Sequence, residues 1–423
     1  MSYKRVTELT RGQQDSPYAS VRLGAALLLM TIGGAGMYGM VVALPPIQAE
    51  FGVDRGAASL PYTLTMVGFG LGGIMMGRLS DRFGVIVPAL LGGICLGLGF
   101  IFAGMAPNLL SFALVHGLLI GFLGASGTFA PLVADISMWF TRHRGIAVAI
   151  CISGNYLAGA VWPPVLQHFF DSVGWRTTYI GVGFFCLAAV LPLALVLRRK
   201  PPLPSSTATS GATRALHARP LGLAPNTLMV LLSVAGIGCC VAMAMPQVHI
   251  VAYCGDLGYG AARGAEMLAL MLGCGIVSRL ASGWISDRIG GLRTLLLGSV
   301  LQGIALLMFL PFDGLVSLYL VSAMFGLFQG GIVPAYTIII REYFPVGEAG
   351  ARVGVVLMAT LFGMALGGWM SGAIFDLTGS YHAAFLNGVA FNLLNLAIVL
   401  WLLRRAGWTS ASPFKRDPAG SIP

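Results

Sequence analysis

Twelve long apolar runs alternate with short polar interruptions along this chain. The runs fall at approximately 21–44, 57–77, 85–106, 109–133, 144–167, 176–197, 226–252, 264–284, 294–311, 315–340, 352–375 and 382–403. Most hold about 20 residues, the length an α-helix needs to cross roughly 30 Å of hydrocarbon. The pattern predicts an all-α polytopic membrane protein. One interruption differs from the others. After Arg199 the sequence reads KPPLPSSTATSGATRALHARPLGLAP, which is basic, rich in Pro, Ser and Thr, and too polar to span. It is expected to be a linker over 199–225. It divides the chain into a tail (1–20), a six-helix bundle (21–198), a second bundle (226–405) and a closing tail (406–423).

The two halves echo each other. GRLSDRFG at 77–84 recurs as GWISDRIG at 283–290, with five of eight positions identical. Trp139-Phe140 is echoed by Tyr343-Phe344. Both pairs follow the second and fourth span of their half, so the bundles are expected to be related by an axis along the membrane normal. In the loop motif, Gly77 and Gly283 permit close helix contact. Asp81 and Asp287 can meet neighbouring positive charges or helix N-termini, and Arg82 and Arg288 lie in the headgroup region. Such links can hold one conformation and release another, so these six residues are candidate gating residues.

Composition sharpens this reading. Only 9% of the 423 residues are charged and 57% are hydrophobic, where a soluble protein carries roughly 25% charged residues. The 59 glycines suit close helix approach in a bilayer. The seven cysteines show no ligand spacing and are read as buried reduced thiols. A net charge of +10 could suggest nucleic acid, but its distribution excludes that partner. With the N-terminus inside, 21 of the 25 Lys and Arg lie at the cytoplasmic face, Arg22 among them. Arg55, Arg176 and Arg263 lie outside and Arg279 within the membrane. The positive-inside rule therefore places both termini in the cytoplasm. No cleavable signal peptide is visible.

Arg279 is the most informative single residue. It interrupts the apolar run 264–284 about five residues before its cytoplasmic end, and no Asp or Glu lies one or two turns away. An Arg in hydrocarbon costs roughly 2.5–3.5 kcal/mol on insertion scales, so its expected partner is an anionic solute held by the guanidinium fork. His249, late in the seventh span, is the candidate carrier of a coupling proton, with His116 as a weaker one. Asn155, Tyr156, Tyr38, Gln329 and Tyr336 are candidate donors to a substrate. Tyr62, Gln247, Trp369 and Asn387 are similar polar or aromatic positions within spans. Pro45-Pro46 and Pro163-Pro164 are expected to end or hinge the first and fifth helices. There is no Walker motif, HExxH, GxSxG or metal-ligand cluster, so neither an enzyme nor a cofactor is expected.

GRLSDRFG between the second and third spans, its second copy and the 6+6 layout resemble the major facilitator superfamily over residues 20–405. Trp139-Phe140-Thr141-Arg142-His143-Arg144-Gly145-Ile146-Ala147, followed by Ser153-Gly154 and Gly159, resembles the fifth-span signature of the monocarboxylate porters and oxalate/formate antiporters. Arg279, four residues before Gly283, matches that group's eighth-span Arg. The chain departs from the pattern where many monocarboxylate porters carry an Asp four residues before this Arg, a position held here by Gly275. It also lacks a first-span and an eleventh-span Lys. The resemblance implies a secondary transporter in the plasma or inner membrane, moving a small organic anion, a monocarboxylate, by alternating access with a co-transported proton. A drug or metabolite exporter, or an anion exchanger, of the same fold is the alternative. The oligomeric state is left open.

Overall fold

A backbone inside hydrocarbon must satisfy its own hydrogen bonds, which leaves an apolar run little choice but a helix. The computed structural model describes residues 14–140, 144–199 and 220–408. Among them, twelve helices are long and apolar enough to cross a membrane: α1 (Pro17–Phe51), α2 (Arg55–Phe83), α3 (Ile86–Gly104), α4 (Leu109–Trp139), α5 (Gly145–Val173), α6 (Trp175–Val196), α7 (Pro225–Asp256), α8 (Ala261–Ile289), α9 (Gly291–Met308), α10 (Leu315–Tyr343), α11 (Glu348–Thr378) and α12 (Tyr381–Gly407). Most of the tails, most of the 199–225 linker and Thr141-Arg142-His143 lie outside the described residues.

Several helices outrun their apolar segments. α1 passes through Pro45-Pro46 to Phe51, and α5 passes through Pro163-Pro164 to Val173. Of the two roles expected for these prolines, ending the helices is ruled out, since both pairs lie inside them. The extension matters most in α8, which continues to Ile289. Arg279 is therefore ten residues from the helix end, about 15 Å at 1.5 Å per residue, rather than five. The added turn is polar, carrying Ser286, Asp287 and Arg288, so it lengthens the helix beyond the apolar run.

The repeated motif ends two helices in the same way. Gly84 and Gly290 adopt φ of +84° and +82°, a region open to glycine and little else. Their N–H groups donate to Ser80 O at 2.8 Å and Ser286 O at 2.9 Å. The last glycine of each copy is thus a helix stop. Glu342, at the end of α10, caps the start of α9 by accepting from Gly291 N at 2.9 Å.

The helices form two bundles, α1–α6 and α7–α12, which meet along α2–α11 and α5–α8. The α2–α11 contact is uneven. Towards one end, Gly56 packs on Ala373, Gly372 on Ser59 and Gly368 on Tyr62, each within about 3.2 Å of where a Cβ would sit. Further along, Gly70 still touches Leu361, but nothing lies within 4 Å of a Cβ at Gly73, Gly77, Gly350 or Gly354. The two helices splay apart toward the face where α1 begins and α12 ends, here the terminal face. They close at the opposite, far face. Many large apolar side chains on the outer surface, among them Leu118, Phe184, Leu320 and Leu393, are exposed, as expected where lipid is the solvent.

Candidate functional site

Glycines decide where Arg279 sits. A Cβ at Gly326 would lie 1.9 Å from Met271 O, and one at Gly330 would lie 2.3 Å from Gly275 O. α10 therefore packs backbone to backbone on the turns of α8 that lead to Arg279. From the other bundle, α5 approaches the same turns, with Gly159 against Leu272 and Tyr156 against Gly275. Arg279 lies where both bundles meet.

The guanidinium is half-buried and has no carboxylate partner among the described residues. Its Nε donates to Gly330 O at 3.4 Å and its Nη1 to Ile152 O at 3.5 Å. Both are long against the usual N–H···O range of about 2.7–3.2 Å, and a guanidinium has five N–H donors to satisfy. The Tyr156 ring lies beneath it, 4.1 Å from the guanidinium carbon. The Tyr38 ring packs on Gly159, one turn along α5 from Tyr156, and its hydroxyl donates to Asn155 Oδ1 at 3.1 Å. A small cavity beside Asn155, lined by Met37, Phe69 and Thr128 among others, has room for about one water. The arrangement is a partly satisfied cation with an aromatic floor and neutral hydrogen-bonding groups nearby, suited to holding one carboxylate.

The other sequence candidates divide. Gln329 directly precedes the Arg279 acceptor Gly330. It is fully buried and accepts from Gln247 Nε2 at 3.0 Å, while its own Nε2 has no partner. Tyr336 does not join this group. It lies inside the second bundle, donating to Asn395 Oδ1 at 3.1 Å. His116 is enclosed in the first bundle against Phe112 and Tyr179. Asp81, Arg82, Asp287 and Arg288 are exposed and form no ion pair among the described residues. Arg82 lies over Phe83 and Arg288 over Trp284. Trp369 is exposed.

His249 belongs to a different group, at the far face. Its Nε2 is 2.8 Å from Gly368 O, so that nitrogen carries the hydrogen. Its Nδ1 is 2.9 Å from Tyr381 OH, and that hydroxyl also accepts from Arg55 Nη1 at 3.1 Å. With Tyr381 donating to Nδ1, the neutral imidazole satisfies every partner.

Sequence reading missed the rest of this group. Arg55 of α2 makes a forked pair with Asp256 of α7 and lies 4.1 Å over the Phe375 ring. Asp376 of α11 accepts from the backbone N–H groups of Arg55 at 2.9 Å and Gly56 at 2.6 Å, capping the start of α2. One bundle supplies the cation and the helix start, and the other supplies the acids, the ring and the tyrosine. The available signal was three charges at the far-face ends of α2, α7 and α11. The pairing of Arg22 was also missed. It lies near the start of α1, fully buried and paired with Asp135 of α4 at 2.6 Å.

Comparison with known proteins agrees with the fold. The sequence matches the Major Facilitator Superfamily over residues 26–317 and again over 264–421. It is 29% identical to monocarboxylate transporter 13 of Bos taurus over 326 residues, covering 77% of this chain and 75% of that one. It is 27% identical to monocarboxylate transporter 11 of Homo sapiens over 396 residues, covering 90% of this chain and 82% of that one. Among solved structures it is similar to a bacterial homologue of the human lysosomal transporter Spinster in an inward-facing, unoccupied conformation. The TM-score there is 0.67 at 16% identity, covering 93% of this chain and 96% of that one. With twelve membrane-length helices in two bundles and a match that spans nearly the whole chain, this protein belongs to the Major Facilitator Superfamily and resembles its monocarboxylate porter group.

Proposed function

We propose that this protein carries a small organic monoanion, a monocarboxylate, across the plasma or inner membrane by alternating access, together with a proton. The observation that supports this reading most is Arg279, a cation at the bundle interface whose best available protein contacts are two long bonds to carbonyls. A carboxylate arriving between the bundles would complete its hydrogen bonding in a forked geometry. Tyr156 would hold the guanidinium plane, and Tyr38, Asn155 and Gln329 would contribute neutral donors. A single cation suits a monoanion better than a dianion.

The splayed α2–α11 pair corresponds to a state open to the terminal face, which the distribution of Lys and Arg assigns to the cytoplasm. In that state the far-face group around Arg55 holds the bundles together. For the site to face outward, Arg55 must leave Asp256 and Asp376, and the motif residues Gly77, Asp81, Arg82, Gly283, Asp287 and Arg288 must find partners at the closing terminal face. His249 couples a proton to this exchange. A charged imidazole would donate from both nitrogens, deprive Tyr381 of its acceptor and loosen the contact with Arg55.

The test is uptake into proteoliposomes under an inward proton gradient. Each labelled monocarboxylate is compared with its uncharged amide, and a protonophore is added in parallel. The reading expects saturable accumulation of acids and not amides, with the accumulation collapsed by the protonophore. Equal uptake of acid and amide would sink it.

A further inference from the structure

Away from the bundle interface, the start of α1 and the end of α6 enclose a groove of about 310 Å³ at the terminal face, lined by Tyr18, Pro192, Leu195, Val196, Arg198 and Arg199. It has a polar mouth and an apolar wall. Arg198 and Arg199 are exposed, and among the described residues neither is paired with an acid. Instead, Arg199 is held over the Tyr18 ring, 4.4 Å from its centroid. Tyr18 is itself fixed, because its hydroxyl donates to Val196 O at 2.5 Å and accepts from Arg22 Nη1 at 3.2 Å. Arg22 in turn is locked by the buried pair with Asp135. The groove floor is therefore rigid, and one of its two cations is positioned without being neutralised.

The outer surface leading from the groove is apolar. Val21 and Leu28 of α1 and Leu195, Leu191 and Phe184 of α6 are all exposed large hydrophobic residues. They run along two helices toward the membrane interior. Paired cations at the helix-end level, above an apolar track, match the two ends of one molecule.

We propose that this groove binds the phosphodiester headgroup of an anionic phospholipid from the leaflet at the terminal face, with Arg198 and Arg199 on the phosphate and the acyl chains against α1 and α6. Basic pockets between transmembrane helices are suited to such headgroups. The site is separate from Arg279 and does not depend on the transport reading. Through Tyr18, Arg22 and Asp135 it ties lipid occupancy to the α1–α4 contact.

The test uses the full chain, purified in detergent, with phosphatidylglycerol or phosphatidylcholine added and bound lipid counted by native mass spectrometry. We expect a discrete phosphatidylglycerol adduct and a raised Tm, neither given by phosphatidylcholine. R198Q/R199Q should weaken the adduct roughly 10- to 30-fold, from about one kcal/mol per basic residue. R198K/R199K should keep most of it, which guards against a folding defect in the glutamine variant. R404Q/R405Q removes the same charge elsewhere and should leave the adduct unchanged. Equal loss in both glutamine variants would mean diffuse attraction and overturn the proposal. So would the absence of any preference for phosphatidylglycerol. Full competition by inorganic phosphate would reassign the groove to free anions and overturn the lipid assignment.

Discussion

Tyr156 and Gly275 work as a pair. A Cβ at Gly275 would lie 2.3 Å from Tyr156 Cε1, so the ring fills the volume a side chain at 275 would need. That is the position at which many monocarboxylate porters carry an Asp, and here an aromatic face meets Arg279 instead of a charge. If the contact orients the guanidinium for substrate, Tyr156→Leu should raise the half-saturating concentration by roughly 2- to 30-fold, the range of a cation–π contribution of about 0.5–2 kcal/mol. Tyr156→Phe keeps the ring and should change little, because no hydrogen bond of the Tyr156 hydroxyl occurs among the described residues. Saturation curves for the two variants check this, and equal effects would contradict it. Arg279 was legible in sequence because a cation in an apolar run without a local acid is expensive and therefore conspicuous. The role of Tyr156 was not, since stacking depends on the register between α5 and α8, which no local pattern encodes. The same holds for Arg22. A basic residue near the start of a span reads as surface until Asp135, 113 positions away, is placed beside it.

Between elements, glycines fall into two kinds. Gly326 is needed in the structure as it stands, since a Cβ there would lie 1.9 Å from Met271 O. Gly326→Val should destabilise the fold by about 1–3 kcal/mol through overpacking. Gly77 and Gly283 meet nothing within 4 Å. If they serve the opposite conformation, Gly283→Val should leave Tm near wild type and still reduce transport. Thermal unfolding alongside uptake separates the two, and undiminished transport by Gly283→Val would remove that glycine from the gate. The α1–α4 contact carries a different cost. Arg22→Leu strands a buried carboxylate, a loss of about 3–5 kcal/mol, whereas Arg22→Leu with Asp135→Leu should recover most of it. Unfolding midpoints of the single and double variants decide the matter. The repeated motif was visible as a repeat at once. Its last glycine was not read as a helix stop, because that needs a backbone angle rather than a spacing. Helix ends ran past the apolar segments for a related reason. Hydropathy marks where lipid is, while backbone hydrogen bonding continues through Pro45-Pro46 and Pro163-Pro164.

For the whole molecule, twelve spans and two bundles followed from hydropathy and an internal repeat. The state of the bundles did not, because one sequence serves both states and the choice lies in contacts between distant ends. In the proposed cycle Arg55 holds that choice, with Asp256, Asp376, Tyr381 and Phe375 of the other bundle gathered on it. Arg55→Gln should shift the population toward opening at the far face. Spin labels at Val53→Cys and Thr378→Cys should then report a longer distance by double electron–electron resonance, and an unchanged distribution would exclude Arg55 as the lock. The central claim concerns Arg279 itself, and its most direct measurement is saturable monocarboxylate uptake by wild type, Arg279→Ala and Arg279→Lys in proteoliposomes at matched protein content. We predict that the alanine variant loses uptake and keeps a wild-type Tm. The lysine variant should recover only a fraction, because a point charge cannot form the fork. Wild-type uptake by Arg279→Ala would contradict the account and leave Arg279 a packing residue.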